Sequence, residues 1–282
     1  MEQFQNFSEC LFRNRIEVDP MKSKLVNSSV TFHGEGNILF VEDGVTLERS
    51  SITFHGNRSV VYLSKNMHPY LLKISVYHNS TVYFGRDCYF NGIMTVIASE
   101  LKNVLIGNEG LFSFGIWIRT ADPHLLYRIE SGKRINPSRS VLVGDHVWLG
   151  QQCMLLKGAE IGSGAVIGAG TVCPHKRIPS NTVYAGVPAR QVASGVFFSK
   201  ECTHGWTPEM VDAYMNHPNP TEGGYSNDVN TASDMGCIDY VLQEQPDAEA
   251  RLQKVQELLI QNQAHNRFYI GPVDEENERE IE

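Results

Sequence analysis

The stretch Val143-Gly-Asp-His-Val-Trp-Leu-Gly-Gln-Gln-Cys-Met-Leu-Leu-Lys-Gly-Ala-Glu-Ile-Gly-Ser-Gly-Ala-Val-Ile-Gly-Ala-Gly-Thr-Val-Cys173 decides the fold. An aliphatic or sulfur residue returns at every sixth position: Val143, Leu149, Leu155, Ile161, Ile167 and Cys173. Gly follows it at Gly144, Gly150, Gly162 and Gly168, and a small or β-branched residue stands two positions ahead, at Val147, Cys153, Ala159, Ala165 and Thr171. A period of six matches neither the 3.6 of a helix nor the 2.0 of a strand. It marks a parallel β-helix built from hexapeptides. Each rung is too small to bury its own face, so rungs stack to make a core.

Upstream the period lengthens. Val30-Thr-Phe-His-Gly recurs as Ile52-Thr-Phe-His-Gly, then at 22-residue steps come Ile74-Ser-Val-Tyr-His and Val96-Ile-Ala-Ser. Further columns are expected through Ile38, Val60, Val82 and Val104, and through Phe40, Tyr62, Phe84 and Ile106. Each unit reads as one coil of three short β-rich sides, with Gly, Asn and Ser at the corners. Val104-Leu-Ile-Gly-Asn aligns with Val141-Leu-Val-Gly-Asp at an offset of 37, one coil plus 15 residues. The excess falls within 118–140, and insertions in repeat folds map to surface loops where function tends to sit. Between Arg119 and Arg139 it carries five basic residues (Arg119, Arg128, Lys133, Arg134, Arg139) against Asp122 and Glu130.

The expected domain plan is a segment 1–24, a β-helix 25–194 and an acidic, partly helical extension 195–282. Pro179, Asn181, Gly186 and Pro188 mark the exit turn, and the repeats stop after Arg190. Thr207-Pro-Glu-Met reads as a helix start. Asp247 to Gln261 reads as a helix with Leu252, Val255, Leu258 and Leu259 on one face. A Gly/Asn/Ser/Asp-rich connection is expected between them, and a solvated, disordered end over Asp274 to Glu282. The net charge of -8 divides unevenly: residues 1–194 hold 19 Lys/Arg and 15 Asp/Glu, residues 195–282 hold 5 and 17. With 41 % hydrophobic and 20 % charged residues the composition is that of a globular chain. No apolar run is long enough to span a membrane, and MEQFQNFSEC is no signal peptide. The six cysteines form no CxxC pair. Cys153 and Cys173 occupy repeat positions, so the chain is read as reduced and cytoplasmic.

His124, in Thr120-Ala-Asp-Pro-His, is the main candidate for chemistry. Pro123 stiffens its loop, and a neutral imidazole there can take a proton from an acceptor hydroxyl. Acyl transfer to an alcohol needs that step, because a free hydroxyl is a poor nucleophile near neutral pH. The alternative is an ordinary exposed loop histidine. Trp148, on an outward position, is either a packing residue or a ligand platform. Lys176, Arg177 and Arg190 flank the exit turn, where they can meet phosphates or simply be solvated. His33 and His55 share a repeat column, with His78 one place off, which stacking explains without a metal. His146 and His175 read as ordinary repeat or loop residues.

The hexapeptides followed by Ile178-Pro-Ser-Asn-Thr-Val-Tyr-Ala-Gly-Val-Pro-Ala-Arg190 resemble the hexapeptide-repeat acyltransferases. The resemblance covers about residues 100–192 well and the earlier coils by architecture. It implies an all-β fold, a left-handed parallel β-helix, usually a homotrimer with acetyl-CoA bound between subunits. Left-handed crossovers depart from the general right-handed rule, so handedness rests on the resemblance alone. Thr120-Ala-Asp-Pro-His124 followed by Val147-Trp-Leu-Gly150 is most similar to the bacterial capsular sialic-acid O-acetyltransferases. That implies His124 as catalytic base, Trp148 in a catalytic and cofactor-binding role, and acetyl-CoA contacts at Gly168, Ala169, Lys176 and Arg190. Cys173-Pro-His-Lys176 has one residue more than many relatives, which leaves the place of Lys176 open. The implied reaction is direct acetyl transfer to a saccharide hydroxyl, on sialic acid of a capsular polysaccharide. A backbone N–H would steady the oxyanion, worth about 3 kcal/mol. No acyl-enzyme, metal or nucleic-acid partner is expected. Competing readings are another sugar or small alcohol as acceptor, a metal-dependent β-helix carbonic anhydrase, and a non-catalytic polysaccharide-binding β-helix.

Overall fold

The computed structural model describes residues 1–4, 13–219, 223–228 and 230–273; the expected disordered end, 274–282, lies outside them. The chain is a left-handed parallel β-helix with a few helices laid along one side. Among the described residues, three parallel sheets form the sides of the prism. The first runs from Ser29–Phe32 through Ser51–Phe54, Leu72–Val76, Met94–Ala98, Trp117–Arg119 and Met154–Leu155 to Val172–Cys173. The second runs from Arg15–Glu17 through Ile38–Val41, Val60–Leu63, Thr81–Phe84, Val104–Ile106, Val141–Val143 and Ala159–Ile161 to Lys176–Ile178. The third begins at Tyr89–Phe90 and continues through Leu111–Phe112, Trp148–Leu149 and Val166–Ile167 to Thr182–Ala185. Each hexapeptide supplies one side: Val143, Leu149 and Leu155 fall on the second, third and first sheets in turn, and Ile161, Ile167 and Cys173 repeat the cycle.

The inward residues are the periodic ones. On the first sheet Val30, Ile52, Ile74, Val96, Ile118, Leu155 and Cys173 stack in one buried column. Phe32 and Phe54 add a stacked pair 4.5 Å apart. Glycine is required where coils meet closely: a Cβ on Gly150 would lie 2.7 Å from the Ala169 nitrogen and 2.8 Å from the Ile167 oxygen. A side chain there costs backbone displacement of the next coil.

One expected register is wrong. Val60 pairs with Thr81 and Tyr62 with Tyr83, so Val82 and Phe84 continue Val61 and Leu63. The corner from Tyr77 to Thr81 is one residue shorter than that from His55 to Val60; Asn79 donates to Asn57, and the next amide, Ser80, already meets the Ser59 hydroxyl. In a strand a one-residue slip exchanges faces. Ile38, Val60, Phe40, Tyr62 and Tyr83 therefore point outward, and Leu39, Val61, Val82 and Val104 point into the core.

That outward apolar stripe explains the C-terminal extension. Helices α1 (Pro208–Ala213), α2 (Met235–Gln243) and α3 (Ala248–Val255) follow the coils. α1 starts as expected, with Thr207 accepting from the Met210 amide, and α3 starts at the Asp247 cap and runs on in a wider turn to Ile260. α2 falls where only a connection was expected. Its signals are the Asp234 cap, which accepts from Gly236 and Cys237, and the spacing of Met235, Ile238 and Leu242. Gly236 and the polar residues before it mask this pattern. Met235, Ile238, Leu242, Leu252, Val255, Leu259 and Phe268 bury Ile38, Val60, Tyr62, Tyr83, Leu105 and Leu142 of the second sheet. Arg267, fully buried, seals the contact through two bonds to Asp145, Nε to Oδ2 at 2.7 Å and Nη2 to Oδ1 at 2.8 Å. At the other end, two strands of the segment before the coils pair with them: Glu2–Phe4 runs antiparallel to Ser29–Phe32, and Arg15–Glu17 parallel to Ile38–Val41.

Candidate functional site

Extra chain enters the coils at one place in the region of the hexapeptides. Val104 pairs with Val141, and Trp117–Arg119 ends just before the extra chain begins. Thr120, fully buried, closes the entry: its hydroxyl accepts from the Ser99 amide at 2.8 Å, and its carbonyl accepts from the Arg139 amide at 3.1 Å. The insertion then rises as an irregular hairpin, with Arg128 N–H to the Lys133 carbonyl at 2.9 Å and Ile135 N–H to the Leu126 carbonyl at 2.9 Å. Gly132 takes the positive φ of 63° that turns it.

Asn136 anchors the hairpin from below and is 4 % exposed. Its Nδ2 donates to Asp122 Oδ2 at 3.0 Å and to the His124 carbonyl at 2.8 Å; its Oδ1 accepts from the Leu126 amide at 2.8 Å. Asp122 Oδ2 also accepts from Lys157 Nζ at 2.5 Å. Lys157 first, and Asn136 after it, hold the Asp122 carboxyl below the usual range. Arg134 donates to both oxygens of Glu100, at 3.0 and 2.9 Å, and with Ser138 holds that carboxyl down as well. The hairpin leaves Leu125, Leu126, Tyr127 and Ile135 more than half exposed and Ile129 fully so. His124 is exposed, and among the described residues its ring makes no hydrogen bond. Its backbone is held and its imidazole is free to meet a ligand.

Trp148 stands on the third sheet between Leu111 and Val166, 40 % exposed. The insertion leaves the prism from the first sheet, so Trp148 and His124 belong to different sides of one protomer. Phe198 meets Trp148 with ring centroids 5.8 Å apart and stacks on His146 at 4.1 Å. Sequence reasoning missed Phe198, which lies beyond the repeats where no periodicity flags it. His146 also lies 3.6 Å from Glu109 and lowers its carboxyl.

Gly168 and Ala169 form a corner of the last full coil. Gly168 N–H donates to the Tyr184 carbonyl at 2.8 Å, and Ala169 is exposed. Lys176 pairs with Ala159 and faces inward, 9 % exposed, with its ammonium 5.7 Å above the Tyr184 ring. Alternation carries this signal: Ile178 is core, so Lys176 two places earlier shares its face. Arg177 points the other way, 3.6 Å from Glu160 and 3.9 Å from Asp234. Arg190 is exposed at the start of the final antiparallel strand. His175 contacts Arg139. His33 and His55 stack 5.4 Å apart, and Tyr77, not His78, takes the third place at 4.8 Å.

The described cysteines are free, and burial pushes Cys153 to about 11 and Cys88 and Cys173 to about 12, so these thiols stay protonated. Among the described residues no three His, Cys, Asp or Glu converge as a metal site, and no helix is long and apolar enough to cross a membrane.

Residues 140–175 match the bacterial transferase hexapeptide family (six repeats). The chain is 40 % identical over 68 residues to the polysialic acid O-acetyltransferase of Neisseria meningitidis, covering 24 % of this chain and 31 % of that protein. It is 30 % identical over 127 residues to a putative lipopolysaccharide biosynthesis O-acetyl transferase, WbbJ, of Escherichia coli K12, covering 42 % and 63 %. It thus spans less than two thirds of the length of either relative. In three dimensions it resembles the polySia-specific acetyltransferase NeuO with a TM-score of 0.58 and 26 % identity, over 71 % of this chain and 93 % of that one.

Proposed function

We propose that this hexapeptide β-helix is an O-acetyltransferase that moves acetyl from acetyl-CoA to a saccharide hydroxyl, with a polymer of sialic acid as acceptor. The observation that carries the reading is His124, whose carbonyl is fixed by Asn136 while its imidazole stands free on the single insertion among the hexapeptide coils. The named activity of relatives sharing these coils agrees with it.

His124 takes the proton of the acceptor hydroxyl as its oxygen attacks the thioester carbonyl. The C–O bond forms, the C–S bond breaks, and the thiol leaves with the proton. General-base assistance of this kind is worth about 10²–10⁴-fold. Direct transfer is expected, because no Cys or Ser stands beside His124 in sequence, and burial keeps the thiols of Cys88, Cys153 and Cys173 protonated. Trp148 and the Gly168–Ala169 corner offer the cosubstrate a flat wall, and Arg190 suits its phosphates. Lys176 joins them when its ammonium leaves the Tyr184 ring.

Trp148 and His124 lie on different sides of one protomer, so the reading includes a homotrimer in which His124 of one copy faces Trp148 of the next. The apolar hairpin tip supplies surface for that contact. The reading takes the reaction as cytoplasmic, which suits a dependence on acetyl-CoA and agrees with the free thiols of the described cysteines.

Thiol release from acetyl-CoA, followed with oligosialic acids and with neutral glycans, tests this. Wild-type protein is expected to turn over with the sialic acids, and His124→Ala to lose at least about 100-fold. Near wild-type release by His124→Ala removes the base assignment. Saccharide binding without any thiol release favours the non-catalytic reading.

A further inference from the structure

The outward face of the first sheet is open, because the C-terminal helices cover the second sheet and leave this one bare. Alternation fixes which residues it shows. Lys73, Thr95 and Trp117 form one outward column, and Ser75, Ile97 and Arg119 form the next. Successive coils are about 4.8 Å apart along such a column. None of the parallel strands of this sheet, from Ser29–Phe32 to Val172–Cys173, contains Asp or Glu.

Two cations on this face make no direct bond to an acceptor, although Arg119 is near enough to Asp122 to help hold that carboxyl down. Three cations at the insertion are engaged, Arg134 with Glu100, Lys157 with Asp122 and Arg139 with His175, while Arg128 and Lys133 stand exposed on the hairpin. Lys73 and Arg119 make no hydrogen bond or ion pair among the described residues. Arg119 is half-buried, and its Nε is buried without an acceptor. A buried charged donor left unpaired is costly, and that cost falls when an anion arrives. Trp117, 43 % exposed, shares the column of Lys73 and the strand of Arg119, and Arg119 is five residues before His124.

We propose that the outer face of the first sheet is a track for an anionic saccharide chain, with Arg119 and Lys73 binding carboxylates of separate sugars and Trp117, beside Arg119, packing a sugar ring. It leads the polymer along the coils to the base of the insertion. Arg119 fixes the sugar nearest His124, and Lys73, two coils away, reads a more distant residue. Serine and threonine hydroxyls beside them suit saccharide hydroxyls. The proposal rests on the acetyltransferase reading for its link to catalysis, but not for the binding itself.

Binding of oligosialic acids of increasing length is measured by titration calorimetry, beside thiol release on the same preparations and light scattering to size them. Arg119→Gln is expected to weaken binding and raise KM for every anionic acceptor by about tenfold or more. Its kcat and its KM for acetyl-CoA should stay near wild type. Lys73→Gln should affect long acceptors and spare a single sialic acid, and added salt should shrink both effects. Unchanged binding in Arg119→Gln and Lys73→Gln overturns the track. So does a change in particle size that accounts for the loss, since the face is then a contact between copies. Wild-type binding of oligosialic acid that these variants weaken, without any thiol release, keeps the track and removes the acetyltransferase reading.

Discussion

Asn136 does for the insertion what a strand does for a coil: it supplies fixed partners to chain that has none. Its amide holds Asp122, the His124 carbonyl and the Leu126 amide together. Asn136→Ala is therefore expected to release the hairpin and lower kcat by tenfold or more, with a smaller effect on KM for acetyl-CoA, because positioning losses of about 1 Å cost on the order of 100-fold. Thermal unfolding of the coils should change little, since the hairpin lies outside their core. A variant with wild-type kcat shows that the hairpin does not depend on this anchor. The 37-residue offset from Val104 to Val141 marked the loop, but the partnership of Asn136 with residues 10 to 14 positions earlier had no signal in sequence, because nothing periodic links them.

At the scale of elements, the extension is a side wall of the prism. α2, α3 and Phe268 cover an apolar stripe that a bare β-helix would leave in water. The buried pair of Arg267 and Asp145 locks this wall to the second sheet, and Asp145 also accepts from the Asn108 amide at 2.6 Å. Arg267→Ala leaves the Asp145 carboxylate buried and unpaired, for an expected loss of about 3–5 kcal/mol in denaturant unfolding. Adding Asp145→Asn should recover part of that loss, because the stranded charge is gone. A loss below about 1 kcal/mol in Arg267→Ala means that the wall is held by its apolar contacts alone. The helical spacing of Leu252, Val255 and Leu259 was legible. The surface they cover was not, because Tyr62 and Tyr83 look like core residues until the short corner at Asn79 turns the register.

For the whole molecule, the stacked column of His33, His55 and Tyr77 ties three successive coils on one exposed edge. His55 is held below the ordinary histidine value, by burial first and by neighbouring His33 second. The unfolded chain therefore binds a proton more readily than the folded one, so stability drops as pH falls through the ordinary histidine range near about 6.5. The melting temperature is expected to decline from pH 7.5 to 5.5, and to decline less in His55→Gln. Equal slopes in the two proteins remove the ladder as the cause. The solenoid itself was legible because its core is one-dimensional. Each inward residue meets its counterparts on adjacent coils at the same register position, so the six- and 22-residue periods specify neighbours directly. That logic marked the hexapeptides, the break within 118–140 and the exit at Arg190. It has no purchase on contacts between parts of unequal period. Which face α2 and α3 cover, the meeting of Phe198 with Trp148 and the want of a bonded acceptor at Lys73 and Arg119 were decided by the tertiary structure alone. The physical reason is that burial and charge pairing at those places depend on residues far away in sequence, brought together only once the coils have closed.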